Sequence, residues 1–228
     1  RFDYSGYLGA KAVPAVGIHV FPDVLGFETY FGSWYQPDTD DFDWTRNSGG
    51  TPTPSSGPSG ASEGAYYAYL EASGLNPGDA AVLFTRLDLS NHGNAAISFD
   101  YHMYGFSMGS LFLEASPDNG TSWVGIWSRM GDQGTAWLSA QADLSAYDGT
   151  EVSLRFRAVR GSDFASDISL DNLVITADAA SEETFASWIG DTYPGLADPT
   201  PEGDPDMDGI SNFLEYARSE ERRVGKEC

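Results

Sequence analysis

Hydrophobic positions recur every second residue over most of this chain. "ISFDYHM" sets Ile97, Phe99, Tyr101 and Met103 on one side, with Ser98, Asp100 and His102 on the other. "SLFLEAS" alternates Leu111, Leu113 and Ala115 against Glu114 and Ser116. "EVSLRFRA" sets Val152, Leu154, Phe156 and Ala158 against Glu151, Ser153, Arg155 and Arg157, and "DISLDNLVI", "YYAYLEA" and "AAVLFTR" read as further strands. A side-chain period of two with one polar face marks half-buried antiparallel strands. "PDNG" (Pro117 to Gly120) supplies a hairpin turn, Asn119-Gly120 being suited to positive φ. About eight or nine short strands with regular turns over 26–177 predict an all-β fold, a two-sheet sandwich or jelly roll.

After Thr176 the period changes. "SEETFASWIGDTYPG" opens with Ser181, Glu182 and Glu183, places Phe185, Trp188 and Ile189 on one helical face, and stops at Pro194-Gly195. "ADPTPEGDP" reads as a loop and "ISNFLEYA" as a second helix, so 178–217 is expected to form a small C-terminal helix-loop-helix appendage. Residues 1–25 read as the end of an upstream region or a linker. "SGGTPTPSSGPSGAS" (Ser48 to Ser62) has the composition of a linker. Too little chain separates it from residue 26 to make a domain, so it is expected to be a long loop inside the sandwich.

The formal net charge of −22 repels phosphate backbones and anionic lipid, which argues against nucleic acid as a partner. No apolar run is long enough to span a membrane. The carboxylates either form a solvated acidic surface or in part hold divalent cations. The single cysteine, Cys228, has no partner for an intramolecular disulfide. It ends "RSEERRVGKEC", where Arg218, Arg222, Arg223 and Lys226 are four of the 12 basic residues. That stretch resembles the translation of a sequencing adapter. Residues 218–228 are therefore expected to be an artefact, with the native sequence continuing beyond both ends of 1–217. The alternative is a genuine basic helix end.

"DPDMDGISNFLE" (204–215) has the spacing of an EF-hand loop. Asp204, Asp206 and Asp208 occupy positions one, three and five, Gly209 is sixth, Asn212 ninth and Glu215 twelfth, and the Ile210 carbonyl would be the seventh-position ligand. Ca²⁺ is the cofactor this pattern predicts. It would hold together a helix pair too short to bury much core.

"FETYFGSWYQPDTDDFDWTRNSGGTPTPSSGPSG", "YLEAS", "YHMYGFSMGSLFLEAS", "WSRMGDQGTAWLSAQADLS" and "AVRGSDFASDISLDNLVI", in that order over 26–177, resemble the MAM domain of meprin, A-5 protein and receptor phosphatase mu. The resemblance implies a jelly-roll β-sandwich that is non-catalytic and extracellular or cell-surface, serving adhesion or substrate recognition with a protein or glycan ligand. It also implies a structural cation between the first and last strands, with Glu28 and Asp171 as ligands and Asp41 or Asp43 as helpers. Leu25 and Ala96 stand where cysteines are expected in animal members, which removes bridges worth a few kcal/mol each. Cysteine-free modules are common in bacteria, and the C-terminal segment resembles one found in bacterial surface or secreted proteins. A bacterial exported protein is expected, with a carbohydrate-binding module of a secreted hydrolase as the alternative.

Other patterns carry less. "GFSMG" (105–109) fits G-x-S-x-G, but it joins two strands and lacks the strand-to-helix elbow a nucleophilic Ser107 needs. His19, His92 and His102 show no zinc spacing, and His102 reads as a structural or surface residue. Trp34, Trp44, Trp123, Trp127 and Trp137 would stack on sugars if exposed, though packing is the commoner use.

Overall fold

The computed structural model describes residues 19–180, 185–192, 194–195, 199–203, 210–214 and 216–217. The chain divides after Ala179 into two compact units.

The first unit is a sandwich of two antiparallel sheets, as the alternation predicts. Its strands are β1 (Asp23–Leu25), β2 (Thr45–Asn47), β3 (Tyr67–Leu70), β4 (Ala80–Asp88), β5 (His92–Met103), β6 (Ser110–Ser116), β7 (Val124–Met130), β8 (Leu138–Asp143), β9 (Glu151–Val159) and β10 (Ile168–Ala179). One sheet runs β2-β3-β10-β5-β8, with β1 also paired to β10, and the other runs β4-β9-β6-β7. Strand β1 lies upstream of residue 26, so the sandwich takes in chain that reads as linker from sequence.

The predicted apolar faces meet between the sheets. Ile97, Phe99 and Met103 from β5, Leu111 and Leu113 from β6, and Leu154 and Phe156 from β9 are fully buried. Phe99 meets Phe156 edge-on across the gap at 4.8 Å and Trp127 at 4.9 Å.

The polar face of the six-stranded sheet departs from expectation. The 48–66 loop lies over it. Trp137 Nε1 donates to the Gly60 carbonyl (2.9 Å), Tyr67 Oη to Gly49 (2.8 Å), and the Asp167 amide to Ser56 Oγ (2.8 Å). His102, Ser169 and Asp171 occupy polar positions of their strands, and Asp167 immediately precedes β10, yet all four are buried. A Gly/Ser/Pro segment does this because small side chains let its main chain approach a polar surface and satisfy it.

Among the described residues no loop covers the outer face of the four-stranded sheet in this way, but its β4 edge is finished. Tyr35 and Phe84 exchange main-chain hydrogen bonds of 2.8 and 2.9 Å. Asp41 accepts from the Ala80 amide (2.8 Å) and Asp40 from the Val82 amide (2.6 Å). Pairing and carboxylates thus engage donors that would otherwise invite a foreign strand.

In the second unit, α1 (Phe185–Thr192) buries Trp188 and Ile189, two of the three residues predicted for its face. Phe185 and Trp188 pack against Tyr216 at 6.0 and 5.6 Å. The proposed helix start at Ser181, Glu182 and Glu183 lies outside the described residues, as do 1–18 and 218–228.

Candidate functional site

Along one edge of β10, β3 pairs with Ile168–Leu170 and β1 with Leu173–Ile175. Between them the ladder breaks. On its other edge the β10–β5 register shifts between Asp171 and Val174, and Asn172 takes φ 50°. A bulge of this kind re-aims a side chain, and here it sits beside Asp171. The 62–66 stretch fills the break. Ser62 and Glu63 donate their amides to Asp171 Oδ2 at 2.8 and 3.0 Å. The Asn172 amide donates to Oδ1 at 2.8 Å.

The same stretch then engages Glu28. Ala65 and Tyr66 donate their amides to Glu28 Oε1 at 2.8 and 3.0 Å. Gly64, at φ +59°, lies against the Glu28 carboxylate, where a Cβ would collide with it. Gly26 leaves the corresponding space for the Glu63 carboxylate. Arg46 fixes the backbone of this corner by donating to the carbonyls of Phe27 and Glu28, and its guanidinium stacks on Tyr66 at 3.4 Å. Asp100 faces Asp171 from β5 and accepts from Ser62 Oγ (2.7 Å) and Ser139 Oγ (2.6 Å).

The two carboxylates differ in state. The Ala65 and Tyr66 amides hold exposed Glu28 below its usual range. Burial pushes Asp171 up to about 6, its three amide bonds opposing that only in part. Among the described residues no cationic side chain pairs with Asp171. Asp167, just before β10, is also pushed to about 6, first by burial. Its Oδ1 accepts from the Ala72 amide (3.0 Å). Its Oδ2 is buried without a partner, the nearby Thr51 hydroxyl being engaged by the Ser56 carbonyl.

The structure thus brings Glu28 and Asp171 to one short stretch of loop. It adds two residues that sequence reading missed. Glu63 is hidden in linker-like composition, and Asp100 in an ordinary strand alternation. The donor set is all hard oxygen, which suits Ca²⁺. Glu28 Oε2 and the Glu63 carboxylate have no protein hydrogen-bond partner among the described residues. As they stand, no three His, Cys, Asp or Glu side chains among the described residues converge as a metal group. Asp41 is engaged at the β4 edge of the other sheet, and Asp43 is exposed.

Of the C-terminal calcium pattern, Asp204, Asp206, Asp208 and Glu215 lie outside the described residues. Ile210 is half-buried. Asn212 is buried, with its amide donating to the Thr200 carbonyl at 2.9 Å.

Ser107 is not poised as a nucleophile. Its hydroxyl donates to the Ala165 carbonyl (3.0 Å). The glycines around it serve packing: Gly109 and Gly161 press their backbones together so closely that neither has room for a Cβ. His102 is buried, with Nε2 3.1 Å from the Thr135 carbonyl. Of the five tryptophans considered, Trp34 and Trp44 are buried, Trp127 packs on Phe99 and Tyr101, and Trp137 on Tyr67 and His102. Trp123 lines a surface pocket on the uncovered sheet.

The MAM domain (meprin/A5/mu) matches residues 26–179, and the chain belongs to that family. MAM domain-containing protein 2 of Homo sapiens is 34% identical over 143 residues, covering 61% of this chain and 20% of the relative. MAM domain-containing glycosylphosphatidylinositol anchor protein 1 of Rattus norvegicus is 35% identical over 147 residues, covering 60% and 15%. The chain therefore spans only 15–20% of the length of these two relatives. Among solved structures, the K1 cleaved adhesin domain of Lys-gingipain from Porphyromonas gingivalis W83 is similar at 21% identity and a TM-score of 0.48, covering 68% of this chain and 98% of that one. No helix among the described residues is long and apolar enough to cross a membrane.

Proposed function

We propose that this chain is a non-catalytic adhesion or substrate-recognition module that works outside a bacterial cell as part of a larger exported protein and is stabilised by calcium. Membership of the MAM family supports the adhesion role. One observation carries the calcium reading: Asp171 is fully buried, has no cationic partner among the described residues, and is bound by the same 62–66 stretch that carries Glu63 and engages Glu28. A divalent cation held by Glu28, Glu63 and Asp171, with Asp100 behind them, would offset the cost of that buried charge. A second ion would sit in the 204–215 loop on Asp204, Asp206, Asp208, Ile210, Asn212 and Glu215.

Thermal unfolding of the 228-residue chain in EDTA and in millimolar calcium tests both sites. Calcium is expected to raise the sandwich transition by several degrees, consistent with a few kcal/mol of linkage. Glu28→Ala removes that shift, while Asp206→Ala removes only a shift in the second unit. Identical melts in EDTA and calcium would sink the calcium reading. A second reading, a carbohydrate-binding module of a secreted hydrolase, is favoured by the position of Trp123 in an open pocket.

A further inference from the structure

Trp123 follows the β6–β7 turn, and the pocket it lines measures about 280 Å³. The pocket lies between that turn, the outer face of β4 and β9, and the segment that finishes the β4 edge. Its apolar wall is a run of three rings. Tyr35 meets Phe84 at 4.7 Å, and Phe84 meets Trp123 edge-on at 5.8 Å. Its polar lining includes Asp40, Asn119 and Arg155.

These groups are held in place by contacts that leave part of each available. Asp40 accepts the Val82 amide through Oδ2 alone. Arg155 gives Nε to Glu114 Oε2 (2.6 Å) and stacks over Trp123 at 4.1 Å, leaving its terminal nitrogens without a protein partner among the described residues. Asn119 sits at φ 58°. Its turn is fixed by Asp118, which accepts from Ser116 Oγ (2.7 Å) and from the Ser122 amide (2.8 Å), and by the Gly120 amide, which donates to Ser116 Oγ (2.8 Å). The Asn119 amide and the Tyr35 hydroxyl have no protein hydrogen-bond partner among the described residues. The pocket is thus preorganised, with unengaged donors and acceptors around an aromatic wall.

We propose that this pocket binds one neutral sugar ring, a hexopyranose at the end or branch of a glycan. Such a ring has C–H faces that pack on aromatic surfaces and a rim of hydroxyls that both donate and accept. Tyr35 and Trp123, both half-buried, meet the first need, with the buried Phe84 backing them. Asn119, Asp40 and Arg155 meet the second. Other ligand classes fit less well. Arg155 opposes an ammonium group, Asp40 opposes a phosphate or carboxylate, and a volume of about 280 Å³ suits a single ring. The inference rests on the reading of this chain as an exterior binding module and gives that module a subsite.

Saturation-transfer NMR of the 228-residue chain with free galactose, glucose, mannose and N-acetylglucosamine tests it, with tetramethylammonium and inorganic phosphate as contrasting probes. At least one sugar is expected to bind with millimolar affinity. Trp123→Ala should weaken it by about tenfold or more. Asn119→Gly keeps the positive-φ turn and removes only the amide, so it should weaken binding by several-fold with an unchanged melt. Phe106→Ala, at a surface away from the pocket lining, should leave it unchanged. No sugar bound at tens of millimolar, a sugar whose binding survives both pocket variants, or tetramethylammonium or phosphate bound there more tightly than any sugar would each overturn the proposal. Adhesion of the chain to a protein-coated surface, measured alongside, separates the failures. If it persists in both pocket variants and no sugar binds, the sugar site is gone and the adhesion reading stands.

Discussion

The outer faces of the two sheets solve the same problem in opposite ways. Both arise from strands with one apolar and one polar side. On the six-stranded sheet the 48–66 loop covers one end of the polar side, leaving Ser98, Ser139 and Gln141 exposed at the other, so Asp167 and Asp171 are buried and their carboxyls are pushed up to about 6. On the four-stranded sheet no described loop seals the polar side, although Ser116, Ser153 and Glu114 are buried there, and the buried carboxylate is matched by cations. Glu114 accepts from Arg155 Nε (2.6 Å) and Arg157 Nη2 (2.8 Å). Burial works to raise its pKa, but the hydrogen bonds from Arg157 and Arg155 outweigh that, and it ends below its usual range. Two carboxylates on similar strands thus titrate in opposite directions because one has been given guanidinium partners and the other a loop. The loop-covered face holds buried carboxylates that have no cationic partner among the described residues. The open face is where a ligand can reach side chains.

The largest effect should come from breaking the seal at Asp171. Asp171→Ala strips the Ser62, Glu63 and Asn172 amides of a charged acceptor and is expected to cost about 2–4 kcal/mol. The contrast with Asp171→Asn is sharper. The amide keeps an acceptor oxygen and removes the buried charge, so in EDTA at neutral pH its stability should equal or exceed that of the parent. With calcium present the parent should move ahead of it. Urea midpoints of the three chains with and without calcium check this. An Asp171→Asn chain that gains as much from calcium as the parent would mean that Asp171 is not a ligand.

A second, smaller effect separates the faces by pH. Carboxyls raised in the folded state contribute stability that is complete below their unfolded pKa and is lost as pH rises through the folded value. For Asp167 and Asp171 the unfolded value is near 3.8 and the folded value about 6. In EDTA the sandwich should therefore lose stability between about pH 4 and pH 7, by up to about 3 kcal/mol for each group. Asp167→Asn should flatten that slope without touching the calcium response. Chemical denaturation across this window, parent beside variant, decides it. A slope that Asp167→Asn leaves unaltered would show that the buried carboxyl with no partner for Oδ2 is not what titrates.

The legible part of this molecule is the part governed by period. Ile97, Phe99 and Met103, or Leu154 and Phe156, can be assigned to the core from alternation alone, because a strand has only two faces and only one of these was apolar. The turn at Asn119-Gly120 is equally plain, since φ there is 58° and 84° and few residues tolerate that. What alternation cannot convey is whether the polar face meets water. His102 and Asp171 look like solvent positions, yet Thr135 and Trp137 cover the first and the Ser62–Glu63 loop, over 100 residues away in sequence, covers the second. Composition misleads for the same reason: "SGGTPTPSSGPSG" is linker-like because it is rich in small residues, and small residues are also what a segment needs to lie flat on a polar sheet. Glu28 and Asp171 could be named as a pair only through family resemblance. Glu63 had no local signal, its place being set by Gly26 across the gap. The pocket at Trp123 was half visible: the tryptophan could be named, but not the fact that Trp34, Trp44, Trp127 and Trp137 would be taken up by packing.

The smallest effect belongs to the open face, and it should have the opposite sign with pH. Glu114, held below its usual range, contributes stability that is present above its unfolded pKa of about 4.5 and lost as pH falls through the lower folded value. Arg155 and Arg157 are 23% and 28% exposed, so water and salt screen the pair, and Glu114→Gln should cost only about 1 kcal/mol at neutral pH. That loss should shrink in high salt and vanish as pH falls through the lowered folded value, where the parent is itself protonated. Asp167→Asn should show the reverse, its difference from the parent being largest at neutral pH through relief of a buried charge. If the two variants shift stability in the same direction at neutral pH, the sealed and open faces are not electrostatically distinct, and the buried carboxylates of the sealed face would no longer call for a cation.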